Sequence, residues 1–515
     1  MQKRRIIQLR KGNVVAIVVL LVFTLFFVAS SPLSKGNVWV DTNAMLEVGR
    51  AWVHGRVPYA DVFEQRGPLM FFYYFIVNFI SSKGFLGLYV IELLNLVIIY
   101  AISRKVFASV FPKSRVNFDV MAIIIPILMV LDKSFETGGS PEEFAVTWSL
   151  IGIYMVIKVV VGSATSSWRT GFVFGASVAA VFWIKFTLVG LLIGASIFVL
   201  VYLLAEKRFL YLTQMIIAAL SVFFISGIIV AAYFKIVNAL NDSIQTYFLM
   251  NINAYGGDAS LHNRLNAFYQ SVNNIIMGNG WIFSIWLLSI LVLFAVSKRI
   301  AALMLSVGIF GVVVTYAVGQ ARVYSFLQVY AVMVLTILLA VFVFADKFSN
   351  AHIWWFSLIA IFPVLANPFI GKLNYVWQSN TPAAQTFATK IKQYEGNKRA
   401  SLMYYNIIDA GVERYADVSV AEKFKYFEKT NVPDELYPEQ GNSLQKSALN
   451  GTPDYVVVGL NWGWQPAIDL DDKKKVKEHI PAELRHHYRL VQAAYSFYPI
   501  ETDQNQFQMA LLKRK

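Results

Sequence analysis

The stretch VWVDTNAMLEVGRAWVHGRVPYADVFEQRGPLMFFYY, residues 38–74, is dense in groups that can do chemistry. Asp41 directly follows an apolar run and starts an apparent helix, where a carboxylate also satisfies free N–H groups. Taken alone, such an Asp reads as a helix cap at a membrane surface. The same stretch, however, holds Glu47, Arg50, Arg56, Asp61, Glu64 and Arg66 beside the apolar Pro68-Leu69-Met70. Charges held at a membrane boundary are costly unless paired, so a cluster of this kind is a functional candidate. A second acidic group, Asp132, Glu136, Glu142 and Glu143, lies between two later apolar runs and reads equally well as a solvated loop. The chain has no cysteine, which excludes disulfides, thiolate zinc sites and cysteine nucleophiles. His486-His487 near the end reads as a helix surface rather than a metal pair.

The elements that must position these residues are membrane spans. Apolar residues make up 57% of the 515 positions and charged residues 15%, against about 25% charged in an average soluble domain. The apolar residues fall in long runs such as Val14 to Ala29, Gly190 to Leu204 and Leu327 to Ala345. Runs of about 17 to 25 residues match the hydrocarbon thickness. A net charge of +14 could suggest a nucleic-acid partner, but the basic residues cluster at the ends of apolar runs. That is the pattern of topology signals and anionic-lipid contacts, and it argues against nucleic acid.

Lys3, Arg4, Arg5, Arg10 and Lys11 place the N-terminus inside. The apolar stretch that follows exceeds the h-region of a cleavable signal, so a retained first span over about 13–33 is expected. Residues 34–67 then form an outer loop, and residues 68–80 are too short to span and read as a juxtamembrane or re-entrant helix. Further spans are expected near 84–102, 117–131, 144–161, 170–184, 187–205, 210–238, 281–297, 300–318, 326–345 and 352–370. A polar loop of about 40 residues follows 238. The total is about eleven helices, with the tail outside. Residues 1–370 thus form a membrane domain, and residues 371–515 have the composition of a small extracytoplasmic α/β domain. In that domain a helix is expected over Thr381–Tyr394 and strands over Ser401–Tyr405, Asp454–Leu460 and Phe507–Leu512.

Asp41, the helix Ala44 to His54, Gly55, Pro58-Tyr59 and Glu64-Gln65-Arg66-Gly67-Pro68-Leu69 together resemble the first outer loop of the GT-C membrane glycosyltransferases. The branch that includes protein mannosyltransferases and the lipid A aminoarabinose transferase is most similar. Arg66-Gly67-Pro68 stands where that branch more often has Lys-Pro-Pro. Gly171 to Lys185, Arg322-Val323-Tyr324 and the tail segments Thr452 to Val458 and Tyr488 to Val491 resemble further parts of the family.

The resemblance implies transfer of a sugar from a polyprenyl-phosphate carrier to an acceptor outside the membrane. It implies Asp41 as general base, and Arg66, Lys185 and Arg322 as contacts for the donor phosphate. Tyr59 and Glu64 would support the loop. Asp132 and Glu136 occupy the place of a second acidic site, which could orient the acceptor or hold a divalent cation such as Mg or Mn through oxygen ligands. No P-loop, HExxH or nucleotide fingerprint supports a nucleotide-sugar donor. The implied acceptor is a cell-envelope molecule: teichoic acid, another surface polysaccharide, a glycolipid or a protein. A bacterial plasma membrane is compatible with these features.

Two other readings compete. A transporter or flippase for lipid-linked sugars would place ionisable residues in mid-span, where Glu92 is the main example here. A non-catalytic assembly partner would use the tail to hold cell-wall polymer.

Overall fold

The computed structural model describes residues 2–114, 117–164, 166–256, 261–317, 322–347, 381–396, 398–407, 411–427, 438–461, 467–497 and 506–515. Its first part is a bundle of apolar helices. Helix α1 covers Gln2–Phe27, α2 Val40–Val53, α3 Pro68–Ile80, α4 Leu86–Val110, α5 Phe118–Leu131 and α6 Pro141–Val160. Helices α7 (Ser167–Ile184), α8 (Gly190–Ala205) and α9 (Phe209–Ile236) follow. Helices lie over the spans expected up to residue 238, with shifted ends. The first leaves the helix at Phe27, and α4 continues past Arg104 and Lys105 to Val110. Helix α3 has 13 residues, a rise of about 20 Å, which is short of the bilayer core.

The expected polar loop after α9 is instead mostly helical. It contains α10 (Leu240–Ser243), a π-helical turn over Ile244–Met250, α11 (Asn251–Gly256) and α12 (Leu261–Gly278). Asparagines on one side of α12 and Leu265, Tyr269 and Ile276 on another make it amphipathic, and this hid it from a search for apolar runs. Helices α13 (Gly280–Val296), α14 (Lys298–Tyr316) and α15 (Leu327–Lys347) complete the described bundle. The span expected over 352–370 lies outside the described residues. Among the described residues, α4, α6, α9, α14 and the segment Val323–Val343 are long and apolar enough to cross a membrane. The pair α12–α13, bent by 86°, adds a sixth if it is one span.

The second part is an α/β unit. Helix α16 (Ala383–Glu395) buries Ala383, Ala384, Phe387, Ala388 and Ile391, one stripe at helical spacing. A five-stranded sheet runs β2-β1-β3-β5-β4, with β1 Ala400–Tyr405, β2 Val418–Ser419, β3 Tyr455–Asn461, β4 Tyr488–Phe497 and β5 Gln506–Arg514. The β2-β1-β3 part is parallel, and β5 and β4 add antiparallel. Strands β1 and β3 are nearly unbroken apolar runs, as strands covered on both faces require. Helices α17 (Pro438–Leu449), α18 (Lys473–His479) and α19 (Ala482–His487) complete the unit, so His486 and His487 do lie at the end of a helix. One apolar core joins the two parts: Val48, Tyr59, Phe63 and Phe71 pack in the same cluster as Phe387, Tyr404 and Phe424. The α/β unit therefore sits on the end of the bundle that carries α2. The opposite end carries Arg104, Lys105, Arg169, Lys207, Arg208, Lys298 and Arg299.

Candidate active site

The loop after α2 is shaped by backbone turns before any charge enters it. Tyr59 adopts a left-handed φ of 71°, and its N–H donates to the Val62 carbonyl at 2.8 Å. Its ring is buried against Phe71 and Phe234, and its hydroxyl donates to the Arg66 carbonyl at 2.6 Å. Burial, with Tyr247 and Glu64 nearby, pushes that phenol well above its ordinary value and keeps it a donor. At the far end of the loop the Gly67 N–H donates to the Ile184 carbonyl at 3.1 Å. Gly67 lies so close to the end of α7 that a Cβ there would overlap the Trp183 carbonyl. Tyr59 and Gly67 thus fix both sides of Arg66 and bring it beside Lys185, the residue that follows α7.

Asp41 is not used as a helix cap. The N-cap of α2 is Trp39, without a side-chain cap bond, and Asp41 lies in the first turn. Its Oδ2 instead meets Arg66 Nη2 at 2.8 Å, with the two side chains 18% and 16% exposed. Arg66 Nη1 meets Glu64 Oε2 at 2.8 Å, and Glu64 Oε1 accepts the Gln65 N–H at 2.7 Å. Burial by itself would lower the Arg66 guanidinium, but Asp41 and then Glu64 outweigh it and hold it well above its ordinary value.

A second pair stands close by. Lys185 Nζ meets Glu142 Oε1 at 2.7 Å, with Lys185 partly exposed and Glu142 fully buried. The Lys185 ammonium also lies over the Tyr324 ring, 5.4 Å from its centre. Asp41, Glu142, Arg66 and Arg322 all lie within electrostatic range of the Tyr324 hydroxyl. The structure therefore gathers Asp41, Glu64, Arg66, Lys185, Glu142 and Tyr324 into one cluster, with Arg322 exposed at its edge.

Glu142 is the residue that sequence reasoning misplaced. It belongs to the first turn of α6 rather than to the loop before it. The signal was present in Ser140-Pro141-Glu142-Glu143. Ser140 caps the helix by accepting the Glu143 N–H at 2.9 Å, and Pro141 takes the first helical position. Asp132 and Glu136 have a different setting. Both are buried, and Asp132 Oδ1 caps a short 3-10 turn by accepting the Ser134 N–H at 2.8 Å. Their loop is tied to the start of α2. The Thr42 hydroxyl donates to the Gly138 carbonyl at 2.9 Å, and the Asn37 amide donates to the Thr137 carbonyl at 3.1 Å. Among the described residues no group of three or more His, Asp or Glu could hold a metal ion.

Beside the cluster is an apolar cavity of about 110 Å³, lined by residues that include Tyr59, Pro68, Trp183, Phe234 and Phe248. Its walls come from α9, residues 240–248 and the Tyr59 and Pro68 ends of the loop that carries Arg66.

No protein-family profile matches the chain, and no curated protein matches it in sequence. Solved structures do match in shape. ArnT from Cupriavidus metallidurans, bound to undecaprenyl phosphate, aligns with a TM-score of 0.55 over 96% of this chain and 97% of its own, at 11% identity. Its apo state gives 0.55 over 97% and 98%, also at 11% identity. This chain shares the fold of ArnT. The mycobacterial arabinofuranosyltransferase AftD aligns at 0.50 and 11% identity over 98% of this chain, which spans only 40% of AftD. The expected architecture, a helical membrane protein with a small α/β unit following the bundle, is met.

Proposed function

We propose that this protein is an inverting glycosyltransferase that moves a sugar from a polyprenyl-phosphate carrier to a hydroxyl of an extracytoplasmic cell-envelope acceptor. The observation that carries this reading is the Asp41–Arg66 pair at 2.8 Å, partly exposed, in the segment whose Gly67 packs against the end of α7 that Lys185 follows. A carboxylate and two cations gather on a membrane bundle, next to a small apolar cavity. The GT-C fold, shared with a protein that binds undecaprenyl phosphate, supports a carrier of that class. The basic residues at the opposite end of the bundle support an outward-facing site and an inside N-terminus.

In this reaction Asp41 accepts the proton of the acceptor hydroxyl. The acceptor oxygen bonds to the anomeric carbon from the face opposite the phosphate, so the configuration inverts. The bond from that carbon to the phosphate oxygen breaks, and its electron pair stays on the phosphate. Arg66 and Lys185 meet the charge that develops there, with Arg322 at the rim. Asp41 cannot keep Arg66 as its partner throughout. The arriving phosphate takes over the guanidinium and leaves the carboxylate free to act. Glu64, buried behind Arg66, holds the fork in place during that exchange. Asp132 and Glu136 stay as candidates for orienting the acceptor from the adjoining loop.

The test uses membranes carrying Asp41→Asn, which keeps the shape and removes the base. Wild-type transfer of labelled sugar from a polyprenyl-phosphate donor by this variant would refute the assignment. Comparing envelope glycans with and without the protein would identify the sugar and the acceptor, and unchanged glycans would speak against an envelope transferase.

A further inference from the structure

One segment of the α/β unit, residues 411–417, grips the chain on both sides of Asp41. The Tyr415 hydroxyl donates to the Lys35 carbonyl at 2.7 Å, ahead of the base. Gly411, at a left-handed φ of 79°, abuts the Asn43 amide so closely that a Cβ would press into it. Arg414 reaches deepest. Its Nη2 meets Glu47 Oε1 at 3.0 Å, and its Nη1 donates to Asn78 Oδ1 at 3.0 Å and to the Ser82 carbonyl at 3.2 Å. The Arg414 and Glu47 side chains are 0% and 1% exposed. Asn78 in turn donates to the Leu46 carbonyl at 2.8 Å. Helices α2 and α3 and the α/β unit therefore meet at one buried knot, less than two helical turns from Asp41.

A buried ion pair is a poor way to glue two parts together. Desolvation cancels much of its attraction, and apolar side chains of the same volume hold as well or better. Its distinctive contribution is direction, because a planar guanidinium with three fixed acceptors admits one register. The apolar core shared by the two parts already supplies adhesion. The knot is thus free to serve alignment.

We propose that Arg414 is a positioning residue for Asp41: by fixing Glu47 and Asn78 it sets the register of α2, so the α/β unit is part of the catalytic apparatus and not a separable outer module. The link to catalysis rests on the reading of Asp41 as base. The register itself does not, and the test reads the two separately.

Arg414→Met alone leaves Glu47 charged and buried and can fail to fold, so the informative variant is Glu47→Gln/Arg414→Met, which removes both charges. The full chain is reconstituted in lipid nanodiscs. Hydrogen exchange is followed at the amides of residues 40–47, and sugar transfer is resolved into kcat and donor KM. The double variant is expected to melt near the wild type, to exchange about tenfold faster over 40–47, and to lose kcat by about 10- to 100-fold with donor KM little changed. Arg414→Lys, which keeps the charge without the fork, should fall between. Unchanged exchange over 40–47 overturns the proposal, as does a kcat loss that merely follows a lowered melting temperature. Faster exchange in a protein whose wild type transfers no sugar would leave the register intact and refute the transferase reading instead.

Discussion

Two carboxylates of helix α2 six residues apart, Asp41 and Glu47, pair with Arg66 and Arg414, and the two pairs differ in exposure rather than in chemistry. The first, with N–O contact at 2.8 Å, keeps 18% and 16% of its side chains open. The second, at 3.0 Å, is sealed at 1% and 0%. A pair that touches solvent can exchange partners at modest cost, because water or a ligand oxygen replaces what is lost. A sealed pair cannot, since separating it leaves a bare charge in an apolar core. The open pair therefore suits a site that must accept a phosphate, and the sealed pair suits a joint that must not move.

The largest effect is expected at the open pair. Arg66→Met should lower transfer kcat by about 10²- to 10³-fold, the usual loss when one fixed donor is withdrawn from developing charge. Arg66→Lys should recover part of this, because a point charge remains but the fork is gone. The Met variant also leaves the buried Glu64 without its cation and should melt lower, whereas the Lys variant keeps a charge beside it and should melt near the wild type. A large drop in melting temperature for Arg66→Lys would show that Asp41–Arg66, like Glu47–Arg414, is a structural joint.

The next effect is purely steric. Gly67→Ala drives a methyl group into the Trp183 carbonyl and should push Arg66 out of line, costing about 10²-fold in kcat for a displacement of about 1 Å. Gly55→Ala is the control. Unlike Gly67, whose φ is −74°, it sits at a positive φ of 86°, and nothing lies near its missing Cβ. It should cost about 1 kcal/mol of backbone strain and leave kcat alone. Equal losses in the two variants would mean that the approach to α7 does not align the site.

A smaller effect sharpens the idea of exchangeable partners. Glu142→Gln removes the charge that competes with phosphate for Lys185, so donor KM should fall several-fold, worth about 1 kcal/mol. Lys185→Met should raise donor KM by a comparable factor. Donor titrations would show both, and a rise in KM for Glu142→Gln would mean that the carboxylate helps to bind substrate.

How much of this was legible in the sequence depends on the reach of each contact. Asp41, Glu64 and Arg66 lie within one loop, and charges beside a membrane boundary announce themselves. Lys185 was reached through a resemblance, and the structure brings it beside Arg66 by way of Gly67. Glu142 was legible in principle, since Ser-Pro-Glu-Glu reads as a helix start, but the apolar run drew attention further along the chain. The Glu47–Arg414 joint was not legible. Its partners are 367 residues apart, and nothing local distinguishes Arg414 from any other loop arginine. The helices of the bundle were readable from apolar length, whereas α12 was not, because half its surface is asparagine and other polar groups. Strand β4, YRLVQAAYSF, lacks a clean apolar alternation and was recognised only through its pairing with β5.

The smallest effect concerns a carboxylate of intermediate exposure, Asp454, which joins β1 to β3. Its Oδ2 accepts the Ser401 N–H at 2.9 Å and the Ser401 hydroxyl at 2.7 Å, and its Oδ1 meets Arg514 at 2.6 Å. Burial acts to raise this carboxyl, but the Ser401 bonds and Arg514 outweigh it and hold it below its ordinary value. A group depressed on folding adds stability above its unfolded value, about 3.9, and that stability is lost as pH falls through the lower folded value. The side chain is one-third exposed, so solvent screening limits the gain to about 1 kcal/mol or less. Amides 400–405 should therefore lose protection below about pH 4, while those of residues 40–47 keep theirs. Asp454→Asn should flatten this acid dependence without changing transfer at neutral pH. If the amides at 40–47 loosen together with β1, the α/β sheet and the register of α2 form one cooperative unit, and the joint at Arg414 extends further than the contacts of 411–417 require.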